Sequence, residues 1–196
     1  MSKSLRLIVV LTFTALFSGA VLSVLNIYTA PRIELNQNQT LSDAIGQVLP
    51  GEKACDVKVI DGVTFYIGRD EKNQPIGVAF LAEGDGFQSR LKILVGMDMA
   101  LTRILKIKIL QQAETPGLGT KIENDPTNKT DAAWFTNQFN DLPVAKAISY
   151  VKNQKPVAAE SQIQAITGAT ISSKSVVEII NAAIAKNREL FLKKVK

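Results

Sequence analysis

The 196-residue chain carries 23 basic and 18 acidic side chains, a formal net charge of +5, and no histidine. The missing histidine excludes imidazole bases and imidazole metal ligands, and the single cysteine, Cys55, excludes an intrachain disulfide and any two-cysteine metal or redox motif. Lysines are scattered apart from the tail KNRELFLKKVK, so the basic stripe with interleaved aromatics that marks nucleic-acid binding is lacking and no nucleic-acid partner is expected.

Residues 7–28, LIVVLTFTALFSGAVLSVLNIY, run for 22 positions without a charge. That length matches the roughly 20 residues a helix needs to cross a bilayer core. Thr12, Thr14, Ser18 and Ser23 can satisfy their hydroxyls on helix carbonyls. A cleaved signal peptide is the alternative, but its apolar region would be unusually long and YTA before Pro31 is a poor cleavage site. Lys3 and Arg6 precede the apolar run, against Arg32 with Glu34 after it. The positive-inside tendency therefore puts residues 1–6 in the cytoplasm and the rest of the chain outside, as a single-pass protein of the plasma (inner) membrane.

Residues 29–39 are polar and read as a linker, and residues 40–196 as one domain. TLSDAIGQVLPG predicts a short helix with a Pro-Gly stop. From residue 57 the period changes to two: VKVID and VTFYIGRD flank a DG pair that favours a type I′ hairpin turn. PIGVAFLAE, LKILVGMD and ILKIKILQQ are further strands. The last alternates Ile104, Ile107 and Ile109 with Lys106 and Lys108, although Leu105 breaks the phase. DAAWFTNQF and VVEIINAAIAKNRELF predict helices. The fold class is α+β: a single N-terminal transmembrane helix, then a domain of antiparallel sheet with flanking helices.

Three stretches can carry chemistry. In AETPGLGT, Thr115-Pro116-Gly117-Leu118 fits a type II turn, either a plain strand exit or a loop whose glycines let backbone approach a flat ligand. EGDGFQSRLKILVGMD reads as a hairpin corner or as the frame of a pocket. In AITGATISSKSVVEII a helix is expected to start near Ser172 or Ser173, either of which can cap it. Its free amides and dipole then face Thr170, where a phosphate would be stabilised. A small-residue turn into a capped helix explains the same residues.

TGAT, Thr167 to Thr170, followed by ISS resembles the flavinylation motif of the FMN-binding domain. That family includes the G-type component of the Rnf electron-transport complex and the C-type component of the sodium-pumping NADH:quinone reductase. ETPGLG and GDGFQSRLKILVGMD resemble its other two signatures, with Gln88 and Ser89 where the family often has glycine. The resemblance implies FMN esterified through its phosphate to Thr170, framed by Thr167, Gly168, Ala169, Ser172 and Ser173. It also implies that the loop carrying Glu114, Thr115, Gly117, Leu118 and Gly119 lies near the flavin. Neither a bound metal nor a catalytic side chain is implied: the chain would relay electrons within a membrane complex, with the bilayer and the other subunits as partners. A separate magnesium-dependent flavin transferase would load it from FAD. Chain length favours the Rnf branch, a component of an ion-translocating ferredoxin:NAD oxidoreductase. The quinone-reductase branch is the alternative, as is, from another class, a flavin-free anchored scaffold module.

Overall fold

The computed structural model describes residues 2–194; Met1 and the last two residues of the basic tail, Val195 and Lys196, lie outside the described residues. Helix α1 runs unbroken over Lys3–Val48. Among the described residues it is the one helix long and apolar enough to cross a bilayer, compatible with a single-pass anchor. The Thr14 hydroxyl donates to the carbonyls of Val10 and Leu11, the back-bonding expected in apolar surroundings. Unlike the linker and short separate helix expected from the sequence, 29–39 and 40–48 are both helical and continuous with the apolar run. Pro31 lies inside the helix, and no glycine occurs between Gly19 and Gly46 to end it. The stop comes at Pro50-Gly51, with Gly51 at φ +89°. By compactness the chain divides after Leu41, and the unit from Ser42 onward contains the sheet.

Six strands follow in strict sequence order as one antiparallel meander: β1 (Ala54–Ile60), β2 (Val63–Arg69), β3 (Pro75–Asp85), β4 (Arg90–Met97), β5 (Arg103–Gln111) and β6 (Leu142–Pro143). Asp61 and Gly62 both take positive φ, +48° and +78°, as the predicted type I′ turn requires. Leu105 breaks the alternation because it is bulged: Met97 pairs with Ile104 and Gly96 with Lys106, leaving Leu105 without an opposite residue.

One sheet face buries Phe65, Phe80, Val95 and Ile107 in a core that also takes Val176, Ile180 and Phe191 from the long helix α3 (Thr170–Lys194). The other face carries a stripe of small residues, Gly68, Gly77, Ala79 and Gly96, adjacent through the strand register. A methyl group at Gly68 would lie 2.8 Å from Leu49, and one at Gly77 2.9 Å from it. The stripe is thus a seat for Val48 and Leu49, both fully buried. The helix expected over 131–139 contracts to one turn, α2 (Trp134–Asn137), pinned by Phe135 and Phe139 in the core. A two-stranded parallel ladder, β7 (Ser149–Val151) with β8 (Gln162–Gln164), leads toward α3.

Candidate functional site

Three loops meet at the N-terminus of α3. The first is the four-residue corner between β3 and β4, closed by Gly86 N–H donating to the Ser89 carbonyl at 2.7 Å. The second is the turn after β5. Leu118 N–H donates to the Thr115 carbonyl at 3.2 Å with Gly117 at φ +72°, the type II geometry predicted from Pro116-Gly117. The third is the turn into α3, where Ala169 N–H donates to the Ile166 carbonyl at 3.0 Å with Gly168 at φ +84°. Gly117 and Gly168 supply the positive φ that a side chain resists.

The helix starts earlier than the sequence predicts. Ser173 N–H donates to the Ala169 carbonyl, so Ala169 is the N-cap residue and Thr170 the first helical residue. Ser172 and Ser173 are not caps. The Ser173 hydroxyl, fully buried, donates to the Ala169 carbonyl and accepts from Ile166 N–H, each at 3.0 Å, stapling the turn to the helix. The backbone N–H groups of Thr170, Ile171 and Ser172 have no acceptor among the described residues, and the first turn contains no acidic side chain. Three free donors at a helix N-terminus make an anion site.

A cavity of about 280 Å³ opens at this point, lined by Phe87, Thr115, Leu118, Gly119 and residues 168–172. Phe87, Leu118 and Ile171 stand 56%, 48% and 56% exposed around it, an apolar rim of a kind that surfaces seldom leave bare. Of the residues singled out in the sequence, Thr115, Leu118, Gly119, Gly168, Ala169, Thr170 and Ser172 line the cavity; Glu114, Gly117, Thr167 and Ser173 do not. The stretch that carries Phe87 reads as a hairpin corner or the frame of a pocket, but neither Phe87 nor Ile171 is singled out by the sequence, although an aromatic after two glycines and an isoleucine off the buried stripe of α3 are available signals. A larger cavity, about 490 Å³, lies between β2, β3 and the middle of α3, away from these loops.

Glu114 sits behind the wall, 3% exposed, and ties the three loops together. Its Oε1 accepts from Gln88 N–H at 3.0 Å, Ser89 N–H at 3.1 Å and the Ser89 hydroxyl at 3.3 Å, and its Oε2 from the Ser172 hydroxyl at 2.7 Å. Burial pushes its pKa up, but the hydrogen bonds from Ser172, Gln88 and Ser89 together outweigh burial and hold the carboxyl below the usual carboxylate range. The side chains of Gln88 and Ser89 also bind the loop of Glu114: Thr115 Oγ1 donates to Gln88 Oε1 at 2.9 Å, and Ala113 N–H to Ser89 Oγ at 2.8 Å.

Residues 86–185, just over half of the chain, match the FMN-binding domain family and include all three loops. The chain belongs to the FMN-binding domain family. It is 28% identical over 189 residues to the G-type component of the ion-translocating oxidoreductase complex of Methanosarcina acetivorans, covering 91% of this chain and 92% of that one. It is likewise 28% identical over 174 residues to the G-type component of the proton-translocating ferredoxin:NAD(+) oxidoreductase complex of Clostridium ljungdahlii, covering 89% and 86%. The fold is shared with Shewanella oneidensis NqrC, with a TM-score of 0.58 at 17% identity over 67% of this chain and 60% of that one. The likeness to the G-type components thus extends over nearly the full length. The residues present fit FMN: free amides at a helix N-terminus suit its phosphate, and the apolar rim suits an isoalloxazine face.

Proposed function

We propose that this protein is a membrane-anchored flavoprotein that carries FMN in phosphoester linkage to Thr170 and relays electrons within an ion-translocating oxidoreductase complex. The observation that carries the proposal is the placement of Thr170: half-buried, first in α3, lining the cavity beside three free amides, with its hydroxyl unpartnered among the described residues. The chain's own work is to hold and orient. The amides of 170–172 would take the phosphate, while Phe87, Leu118 and Ile171 would shelter the ring. Bound FMN supplies the electron transfer, a task that asks no acid or base of the protein and agrees with a chain lacking histidine.

Loading requires a flavin transferase acting on FAD. The Thr170 oxygen forms a bond to the phosphorus of the FMN half, the bond to AMP breaks, AMP departs with the electron pair, and the hydroxyl proton passes to a base on the transferase. The family resemblance supports this route. The name shared by the full-length relatives supports partnership with the other subunits of such a complex, and the apolar helix supports packing against their membrane helices. Lys3 and Arg6 before the span support a cytoplasmic N-terminus and a flavin domain on the opposite side. The test is denaturing electrophoresis of protein made alongside a flavin transferase. Wild type should give a fluorescent band and Thr170→Ala none, with both melting alike to within about 1 kcal/mol, since the substitution removes a half-exposed methyl and hydroxyl. A fluorescent Thr170→Ala band refutes the assignment.

A further inference from the structure

Several hydroxyls stand near the free amides, and proximity alone does not choose among them. Hydrogen-bond occupancy, burial and position together do. Ser173 is fully buried and engaged on both sides by Ala169 and Ile166. Thr115 lines the cavity but donates to Gln88. Thr167 is exposed and outside the cavity lining. The serious rival is Ser172, a primary alcohol that lines the same cavity two residues from Thr170.

We infer that Glu114 is a specificity-determining residue which reserves Thr170 as the flavin acceptor by holding the hydroxyl of Ser172. The inference rests on the covalent attachment proposed above. The Ser172 proton is committed to Glu114 Oε2 at 2.7 Å. Taking that proton away would set an alkoxide against a buried carboxylate, a like-charge contact that disfavours ionisation. Glu114 cannot swing aside, because its Oε1 is fixed by Gln88 N–H, Ser89 N–H and the Ser89 hydroxyl. Two glycines leave space for this arrangement. A methyl group at Gly119 would lie 2.9 Å from Glu114 Oε2 and 3.0 Å from Ser172 Oγ, and one at Gly86 2.5 Å from Glu114 Oε1. Thr170 carries no such restraint, so its oxygen is the one free to attack the phosphorus of FAD, with AMP leaving and the proton passing to the transferase as above.

The experiment is peptide mapping of the full chain made alongside a flavin transferase, in four forms: wild type, Thr170→Ala, and Thr170→Ala combined with Glu114→Asp or with Glu114→Gln. Glu114→Asp keeps a carboxylate near the loop amides but shortens its reach to Ser172; Glu114→Gln keeps the length and removes the charge. Wild type should carry FMN on Thr170 alone, and Thr170→Ala none on Ser172. At least one double variant that melts cooperatively should carry FMN on Ser172, at ten-fold or more over the Thr170→Ala background. Modification of Ser172 in the single variant overturns the inference, as does its absence from every folded double variant. Failure of both double variants to fold overturns it too, by making Glu114 a residue of the fold and not of the choice. An unmodified Thr170 in wild type instead refutes the attachment reading, and this inference with it.

Discussion

Gly168 cannot take a side chain without strain, because its φ of +84° is a region that L side chains resist. Gly168→Ala is expected to lose about 1–2 kcal/mol, read as a lowered midpoint in urea unfolding. Gly119 differs in kind: its φ is ordinary, but an added methyl would lie 2.7 Å from Glu114 Cβ. Gly119→Ala should therefore displace Glu114 and lower flavin loading on the Thr170 peptide several-fold, read by peptide mapping. Unchanged loading would contradict the close packing of that wall. Both turns were legible in the sequence, since Pro-Gly and Thr-Gly pairs announce positive φ locally. The aim of Glu114 was not, because its partners lie 25, 26 and 58 residues away and only the fold brings them together.

At the scale of elements, the segment between β5 and β6 depends on a second buried carboxylate. Asp125 accepts from the Thr127 hydroxyl and amide, from Trp134 Nε1 at 3.3 Å, and pairs with Lys121 at 3.3 Å. The Thr127 hydroxyl is the main cause of a pKa lowered from 3.8 to about 2, with the Thr127 amide, Lys121 and Trp134 assisting against burial. A depressed folded-state pKa contributes stability that is present above the unfolded value and lost as pH falls through the folded one. Melting temperature should thus decline between pH 3.8 and about 2 through this group, and Thr127→Ala should move that acid limb upward. An unshifted limb would show that Thr127 does not set the titration. A chain beginning at residue 42 retains Val48 and Leu49 on the glycine seat, whereas one beginning at residue 50 loses both, each worth roughly 1.5–3 kcal/mol when fully buried. Circular dichroism melts should show the first cooperative and the second strongly destabilised. The strands were readable as short apolar runs bounded by turn signals, and the Leu105 slip marked a real bulge. The unbroken α1 was not readable: Pro31 and a polar run suggest a linker, and nothing local announces that the helix continues. The shortened α2 likewise reflects burial of Phe135 and Phe139, which no local pattern encodes.

For the molecule as a whole, a helix long and apolar enough to cross a bilayer and a sheet domain belong to one chain whose relatives are named as complex subunits. A reporter fused after the last residue should be active only on the outer side of the membrane, because Lys3 and Arg6 precede the span; cytoplasmic activity would reverse the proposed topology. The composition supports the same account, since a chain without histidine and with one cysteine must borrow its redox chemistry. The borrowed group is proposed to be FMN, held by Thr170. Mass spectrometry of the purified full-length protein, made with a competent flavin transferase and digested to peptides, tests this most directly. The intact mass should exceed that of the chain by FMN less one water, with the whole increment on the peptide containing Thr170 and fragment ions assigning it to that residue. A chain at its unmodified mass, or an increment on any other residue, would contradict it.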